Sequence, residues 1–322
     1  MKRTARRVRN SLQKTRVQIR RTIASLSPRS SLTVFMYHSV TEDATRNWGP
    51  WRYAVTPVEF EEHISVIADR YNVVTMDDVS SHIGESEYTL PKNAAVVTFD
   101  DGYRDTLTQA LPVLERYSVP ATIYVTTDLV GDQYGPFEFR LAEALRNRAG
   151  KSISSLELGI DLSGSISNNP EKIYRFLRGN PGKRTTILDK IENESPSGTT
   201  MLTDEELRVI SEHRLITIGA HGHHHVPLTT LSKCAIDESI SECISVLEEI
   251  IGYSPNHSSY PYGSYNRDVI NAVRNLDFMT AVTTCPNIYS TDKLKTKYLL
   301  IPRIDAGIYS PSSIPSFPRS FV

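Results

Sequence analysis

The run Ala94-Ala95-Val96-Val97 leads into Thr98-Phe99-Asp100-Asp101-Gly102, and this stretch limits most what the chain can become. Apolar and β-branched residues make it a buried strand. A strand that ends in two adjacent carboxylates and a glycine delivers those acids to a rim. Adjacent carboxylates raise each other's pKa unless a cation or a shared proton relieves them, and a metal ion is the simplest relief. An isolated Asp-Asp-Gly is also ordinary turn chemistry, so the metal reading depends on ligands elsewhere in the chain.

The surrounding pattern sets the fold class. Leu32 to Tyr37 reads as a strand, and Thr56-Pro57 opens a helix with Phe60, Ile64 and Ile67 at helical spacing. A short strand from Val73 to Thr75 follows, and after the Asp-Asp-Gly strand come a helix over Arg104 to Tyr117 and a strand over Ala121 to Val125. Residues 131–200 break the rhythm with Gly, Ser, Asn and Pro clusters and read as an insertion over one rim. Order returns with a capping box, Thr203 with Glu206, whose helix leads into a strand over Leu215 to Ala220. A helix marked by Ile236, Ile240, Leu247 and Ile251 stops at Gly252, and a short strand ends in Tyr260-Pro261-Tyr262-Gly263. A helix near Arg267 to Arg274 and strands near Thr280 to Thr283 and Tyr298 to Ile301 complete the chain. Such α/β alternation predicts a parallel sheet or barrel, with residues 31–322 as one barrel domain.

Charge divides the chain differently. Residues 1–30 hold ten Lys or Arg and no acid, and the remaining residues carry 26 Lys or Arg against 37 Asp or Glu. The basic arm lacks the apolar core of a secretory signal, and no run of about 20 apolar residues is present to span a bilayer. A cytoplasmic location is therefore expected, with the arm a solvated tail or a peripheral membrane contact on the cytosolic face; no nucleic acid is expected. Three cysteines without metal-type spacing suit a reducing compartment.

The predicted strand Leu215 to Ala220 runs directly into His221-Gly222-His223-His224-His225, four of the nine histidines of the chain. His221 and His225 are spaced to meet one ion if the segment turns once, although another pair from the four remains open; His223 and His224 would then be spectators or substrate contacts. Asp100, Asp101, His221, Tyr262 and His38 each come just after a predicted strand. In a βα-barrel such residues meet at one face.

These motifs resemble those of the polysaccharide deacetylases with a NodB-type domain. Thr98 to Gly102 is similar to the first motif of that family, His221 to His225 to the second, and Tyr260 to Gly263 to the third in a short bacterial form. The resemblance covers about Leu32 to Ile304 and implies a distorted (β/α) barrel, seven-stranded, with fewer strands than a full eightfold one. It assigns the divalent metal, zinc by expectation, to Asp101, His221 and His225, the base to Asp100, and an oxyanion contact to the backbone N–H of Tyr262. The acid histidine of the usual final motif is missing, since no histidine follows His257. His38, after Val34-Phe35-Met36-Tyr37, resembles that motif moved to the other end of the chain, as in the exopolysaccharide-deacetylase subgroup.

Two further departures stand out. Gly222 replaces the expected Ser or Thr, and the third motif lacks an Arg before Pro261-Tyr262. Arg303, near a strand end, could supply the charge that orients Asp100, with a surface ion pair as the competing reading. Trp48, Trp51, Tyr134 and Phe137 follow strands and could stack on sugar faces. The expected activity is removal of acetyl groups from N-acetylated amino sugars in a glycan, glycolipid or lipid-linked precursor. A silent glycan-binding protein and a two-His-one-carboxylate iron oxygenase are the alternatives; the β/α alternation opposes the second.

Overall fold

The structure, a computed structural model, describes residues 30–42, 47–48, 51–52, 54–85, 87–141, 170–191, 200–310 and 313–314. The basic arm falls outside the described residues, as do the side chains of Trp48 and Trp51. In chain order the main elements are β1 (Ser31–Tyr37), α1 (Pro57–Arg70), β2 (Asn72–Val73), α2 (Met76–Gly84), β3 (Ala94–Phe99), α3 (Leu111–Tyr117) and β4 (Ala121–Val125). The described parts of the insertion contain α4 (Pro170–Gly179) and α5 (Arg184–Ile191). There follow α6 (Asp204–Ser211), β5 (Ile216–Ala220), α7 (Lys233–Ile251), β6 (His257–Ser259), α8 (Arg267–Asn275), β7 (Thr280–Val282), β8 (Tyr289–Ser290), α9 (Thr291–Lys297) and β9 (Ile304–Asp305).

Strands β7, β6, β5, β4, β3 and β1 lie side by side in parallel. The segment 301–305 completes the circuit: Ile301 bridges to Val282 of β7, and β9 pairs in parallel with β1 at Phe35↔Ile304 and Met36↔Asp305. The result is a seven-stranded distorted barrel. Two short strands are added to it, β2 beside β3 and β8 antiparallel to β1.

Each long barrel strand is buried on both faces, and its period of two sorts the side chains. Along β3, Ala95, Val97 and Phe99 join the large core beneath the outer helices, while Ala94 and Val96 join the smaller core inside the barrel. On β1, Phe35 and Tyr37 go outward and Leu32 and Val34 inward. The outer core is closed by apolar residues of α1, α3, α6, α7 and α8, with Phe60, Ile64 and Ile67 of α1 fully buried, each stabilising the fold by roughly 1.5–3 kcal/mol. Inside, the Tyr124 ring lies against Gly219, its partner across the β4–β5 ladder; a Cβ on Gly219 would come within 2.5 Å of that ring.

Local chemistry accounts for the boundaries. Thr56, Thr75 and Thr203 each close a capping box with the acid three residues later, and Gly252 ends α7 at φ +82°. Three elements differ from expectation. The Thr75 cap starts α2, so β2 stops at Val73. The expected helix from Arg104 begins instead as a π-helical turn over Thr106–Ala110, and regular α-helix starts only at Leu111, where Pro112, having no N–H, sits in the first turn. The last strand is shifted to β9, because 291–297 forms α9 and Pro302 interrupts the ladder after Ile301.

Candidate active site

All seven barrel strands end at the same rim, and in β3, β1 and β5 the inward parity continues into the first residue beyond the strand. Positions 94, 96 and 98 lead to Asp100; 34 and 36 lead to His38; 217 and 219 lead to His221. Ser259, Arg303 and Asp305 come inward from β6 and the closing strand. At this rim a cavity of about 250 Å³ is lined by His38, Asp100, Asp101, His221, His225, Tyr262 and Asp305, and by Glu138, Tyr174 and Arg178 of the insertion.

Asp100 is 3% exposed and meets Arg303, which is fully buried. Arg303 donates from Nη1 to Asp100 Oδ1 at 2.7 Å and from Nη2 to Asp100 Oδ2 at 2.6 Å. Its other donors go to Ser259 Oγ, Thr98 Oγ1 and the Thr283 carbonyl. The Arg303–Asp100 pair is thus an internal one, not a surface one. Burial pushes the Asp100 carboxyl up, but the charges of Arg303 and His221 outweigh it and hold the group below the usual carboxylate range.

Asp101, at φ +75°, turns its carboxylate toward the imidazoles. His225 Nε2 stands 3.2 Å and His221 Nε2 3.4 Å from Asp101 Oδ1, about the separation of neighbouring donors on a tetrahedral ion with ligand bonds of about 2.0–2.1 Å. Asp101 Oδ1 is buried and takes no hydrogen bond. This orphaned oxygen between two imidazole nitrogens is the observation that fits a divalent cation. Burial raises the Asp101 carboxyl, yet the neighbouring His225 and His221 hold it well below the usual range. Burial, only partly offset by Asp101, pushes His225 down to about 4, so it is the neutral imidazole that a metal requires.

Both imidazoles are fixed from behind. His221 Nδ1 donates to the Ser259 carbonyl at 2.8 Å, which fixes the ring with Nε2 facing Asp101. His225 Nδ1 lies 3.2 Å from the Tyr262 hydroxyl, which donates to Glu138 Oε1 at 2.5 Å. The role expected of Tyr262 used only its backbone; its hydroxyl has this second one. Glu138 is 7% exposed and its Oε2 has no partner. Burial, against the Tyr262 hydrogen bond and the Arg184 charge, pushes its carboxyl up to about 7.

Gly222 is accounted for by its backbone. At φ +75° glycine is the residue without a steric penalty, and the loop is secured by other bonds: Thr127 N–H to the Gly222 carbonyl at 3.3 Å, Asp128 N–H to the His223 carbonyl at 3.0 Å, and Arg184 Nη1 to the His225 carbonyl at 2.9 Å. His225 at φ +44° and Tyr262 at φ +59° join Asp101 in the left-handed region. Three of the six non-glycine residues at positive φ among the described residues thus face the cavity.

The family model for polysaccharide deacetylases matches residues 87–281. The chain belongs to the polysaccharide deacetylase family. YxkH of Bacillus subtilis (strain 168), which carries a polysaccharide-deacetylase designation, is 20% identical over 265 residues, 82% of this chain and 68% of that protein. In fold, the chain is similar to a Streptococcus pyogenes deacetylase, PplD, solved in complex with acetate (TM-score 0.60, 17% identity, 89% of this chain and 98% of that one). It is similar as well to a de-N-acetylase from Aggregatibacter actinomycetemcomitans (TM-score 0.60, 18% identity, 90% and 100%) and to IcaB from Ammonifex degensii (TM-score 0.58, 18% identity, 89% and 94%).

Polysaccharide deacetylases are metal-dependent, and Asp101, His221 and His225 form a cluster that could hold the ion. His38 and Arg303 lie outside the matched segment and reach the deacetylase site through barrel closure. Three lining residues, Glu138, Asp305 and Arg178, are not marked by any motif of the sequence. Asp305 stands two positions after Arg303 and so shares its inward parity, a signal the sequence holds; Glu138 and Arg178 lie in the irregular insertion and give none. Phe137 proves to be a packing residue, 7% exposed and stacked on Tyr174 at 5.9 Å, with the Arg184 guanidinium 4.1 Å above its ring.

Proposed function

We propose that the protein removes the N-acetyl group from an amino sugar in a polysaccharide, glycolipid or lipid-linked precursor, with zinc as its metal. One observation carries this reading: a carboxylate clamped by Arg303 stands beside a separate Asp/His/His set at the mouth of one cavity. Two imidazoles and one carboxylate suit zinc. The cavity volume of about 250 Å³ matches a single acetylated sugar unit, so the rest of a polymer would lie outside it. The relatives support the substrate class, since one is a de-N-acetylase and another was solved with acetate. Action at the cytosolic face of a membrane, with the basic arm as contact, belongs to the same proposal.

A divalent ion held by Asp101, His221 and His225 would supply Lewis acidity toward the acetyl carbonyl and the attacking water. Asp100, ionised and oriented by Arg303, takes a proton from that water as its oxygen bonds to the carbonyl carbon. The backbone N–H of Tyr262, fixed by the turn Pro261–Gly263, donates to the developing oxyanion. His38, which lines the same cavity, gives its proton to the amine nitrogen as the C–N bond breaks, leaving acetate and a free amino sugar. The site offers no reason for catalytic silence: Arg303 supplies the charge beside Asp100, and Gly222 fits its backbone.

The test is acetate release from N-acetylhexosamine oligomers and glycolipids by purified protein. Activity should be present in the wild type and lost in Asp101→Asn and His225→Ala. Undiminished release by both variants would remove the assignment.

A further inference from the structure

The two histidines that the catalytic cluster leaves over point outward, and they meet an acid from the neighbouring strand end. His224 Nδ1 lies 2.9 Å from Asp128 Oδ2, in the turn Thr127–Leu129 after β4. His223 Nδ1 bonds Thr127 Oγ1 at 2.8 Å, and its Nε2 lies 3.4 Å from Glu242 Oε1 on α7. One donor atom from each of Asp128, His223 and His224 falls within 4.8 Å of the others. We propose that Asp128, His223 and His224, with Glu242 as a fourth donor, form a second metal site on the outer face of the loop that carries His221 and His225.

Several features separate this cluster from chance surface pairs. Its donors are two imidazoles and one or two carboxylates, a set that selects zinc, nickel or cobalt over magnesium or calcium. Thr127 is 5% exposed and holds His223 from behind, as the Ser259 carbonyl holds His221; such an outer partner fixes a ligating ring. The two segments are also bolted together by backbone, through the Asp128 N–H to His223 carbonyl bond. His224, Asp128 and Glu242 line a second cavity of about 630 Å³, which gives an ion access from solvent.

The outer set is looser than the inner one, whose donors stand 3.2 and 3.4 Å apart. Side chains of Asp128, His224 and Glu242 are 54–55% exposed and can rotate onto an ion. Its affinity should therefore be the weaker. An ion there would tie the strand end after β4 to the loop of His221 and His225, where Gly222 offers no side-chain hydrogen bond.

Chelator-treated, untagged full-length protein is titrated with Zn²⁺ against a chromophoric competitor. The wild type should take up two equivalents, one tight and one at least about tenfold weaker, the scale on which supporting contacts alter metal affinity. Asp128→Asn/His224→Ala, at exposed positions, should lose only the weak equivalent and keep acetate release at saturating metal. His223→Ala/Glu242→Gln should do the same, and Asp101→Asn should lose only the tight one. A single tight equivalent in the wild type, or a weak one that survives both outer double variants, overturns the second site. A single weak equivalent lost with the outer variants would leave it standing and instead overturn the inner one.

Discussion

Arg303 and Asp100 share two hydrogen bonds of 2.7 and 2.6 Å across the lumen of the barrel, with neither side chain more than 3% exposed. The pair joins the closing strand to β3, the third barrel strand in the ladder from it through β1. It therefore depends on closure of the barrel, and it assigns the two adjacent carboxylates different fates. Asp100 is held ionised by a fixed guanidinium and stays apart from the metal set, ready to take a proton. Asp101 has no such partner, and its free oxygen faces the imidazoles.

Replacing Arg303 should damage both stability and the pH profile. Arg303→Met leaves a buried carboxylate unpaired, at a cost of about 3–5 kcal/mol. Loss of the guanidinium charge lets burial dominate at Asp100, so its pKa climbs. A base must be ionised to act, so the acid limb of kcat/KM should move to higher pH. Arg303→Lys keeps charge without the two-pronged geometry and should fall between. An acid limb that stays in place in both variants would show that Arg303 does not set Asp100.

Tyr262→Phe removes the hydroxyl between His225 Nδ1 and Glu138. The ring remains to pack against the insertion cluster, so the fold should hold. His225 loses the partner that fixes its orientation, and metal affinity should drop by about 10–100-fold. Acetate release should recover largely at saturating metal, which titration of the chelator-treated variant would reveal. Equal affinity in both proteins would mean that the hydroxyl does not position His225.

Glu138 links stability to pH in a defined direction. Its folded-state pKa is raised from 4.5 to about 7, so between those values the native protein holds a proton that the unfolded chain releases. Stability from this group is complete below the lower value and is lost as pH rises through the upper one. Glu138→Gln has no such slope and can still accept the Tyr262 hydrogen bond. In chelator-treated protein the variant should gain on the wild type from about pH 4.5 and level off above about 7, at a difference on the order of 3 kcal/mol. Parallel urea midpoints at pH 5 and 8 would contradict this.

Period-two alternation makes much of the site legible in the sequence. It marks Asp100, His221 and His38 as inward residues beyond strand ends, and applied to Arg303 it also yields Asp305. What local pattern does not supply is contact across the barrel. Arg303 and Asp100 lie 203 positions apart, and nothing near either one predicts the other. The helix α2 is a second case. Its Asp77 bonds the fully buried His257 at 2.9 Å, a contact 180 positions long, yet the only local sign of α2 is the Thr75–Asp78 cap. Glu138 is the hardest: an acid in an irregular segment reads as solvated, and only the fold buries it against Tyr262.

His38 is the residue whose role most needs a separate experiment. Its charge acts on Asp100, Asp101 and Asp305 together, which puts it within reach of the whole cavity. A general acid is needed when the leaving group is a poor one such as an amine, and little when it is a good one. His38→Asn should therefore lower kcat on an N-acetylated amino sugar by about 10²–10⁴-fold. With p-nitrophenyl acetate, whose phenolate leaves unaided, the same variant should stay close to wild type. Equal losses on both substrates would make His38 a structural or binding residue, and the proton for the amine would then have to come from another group in the cavity.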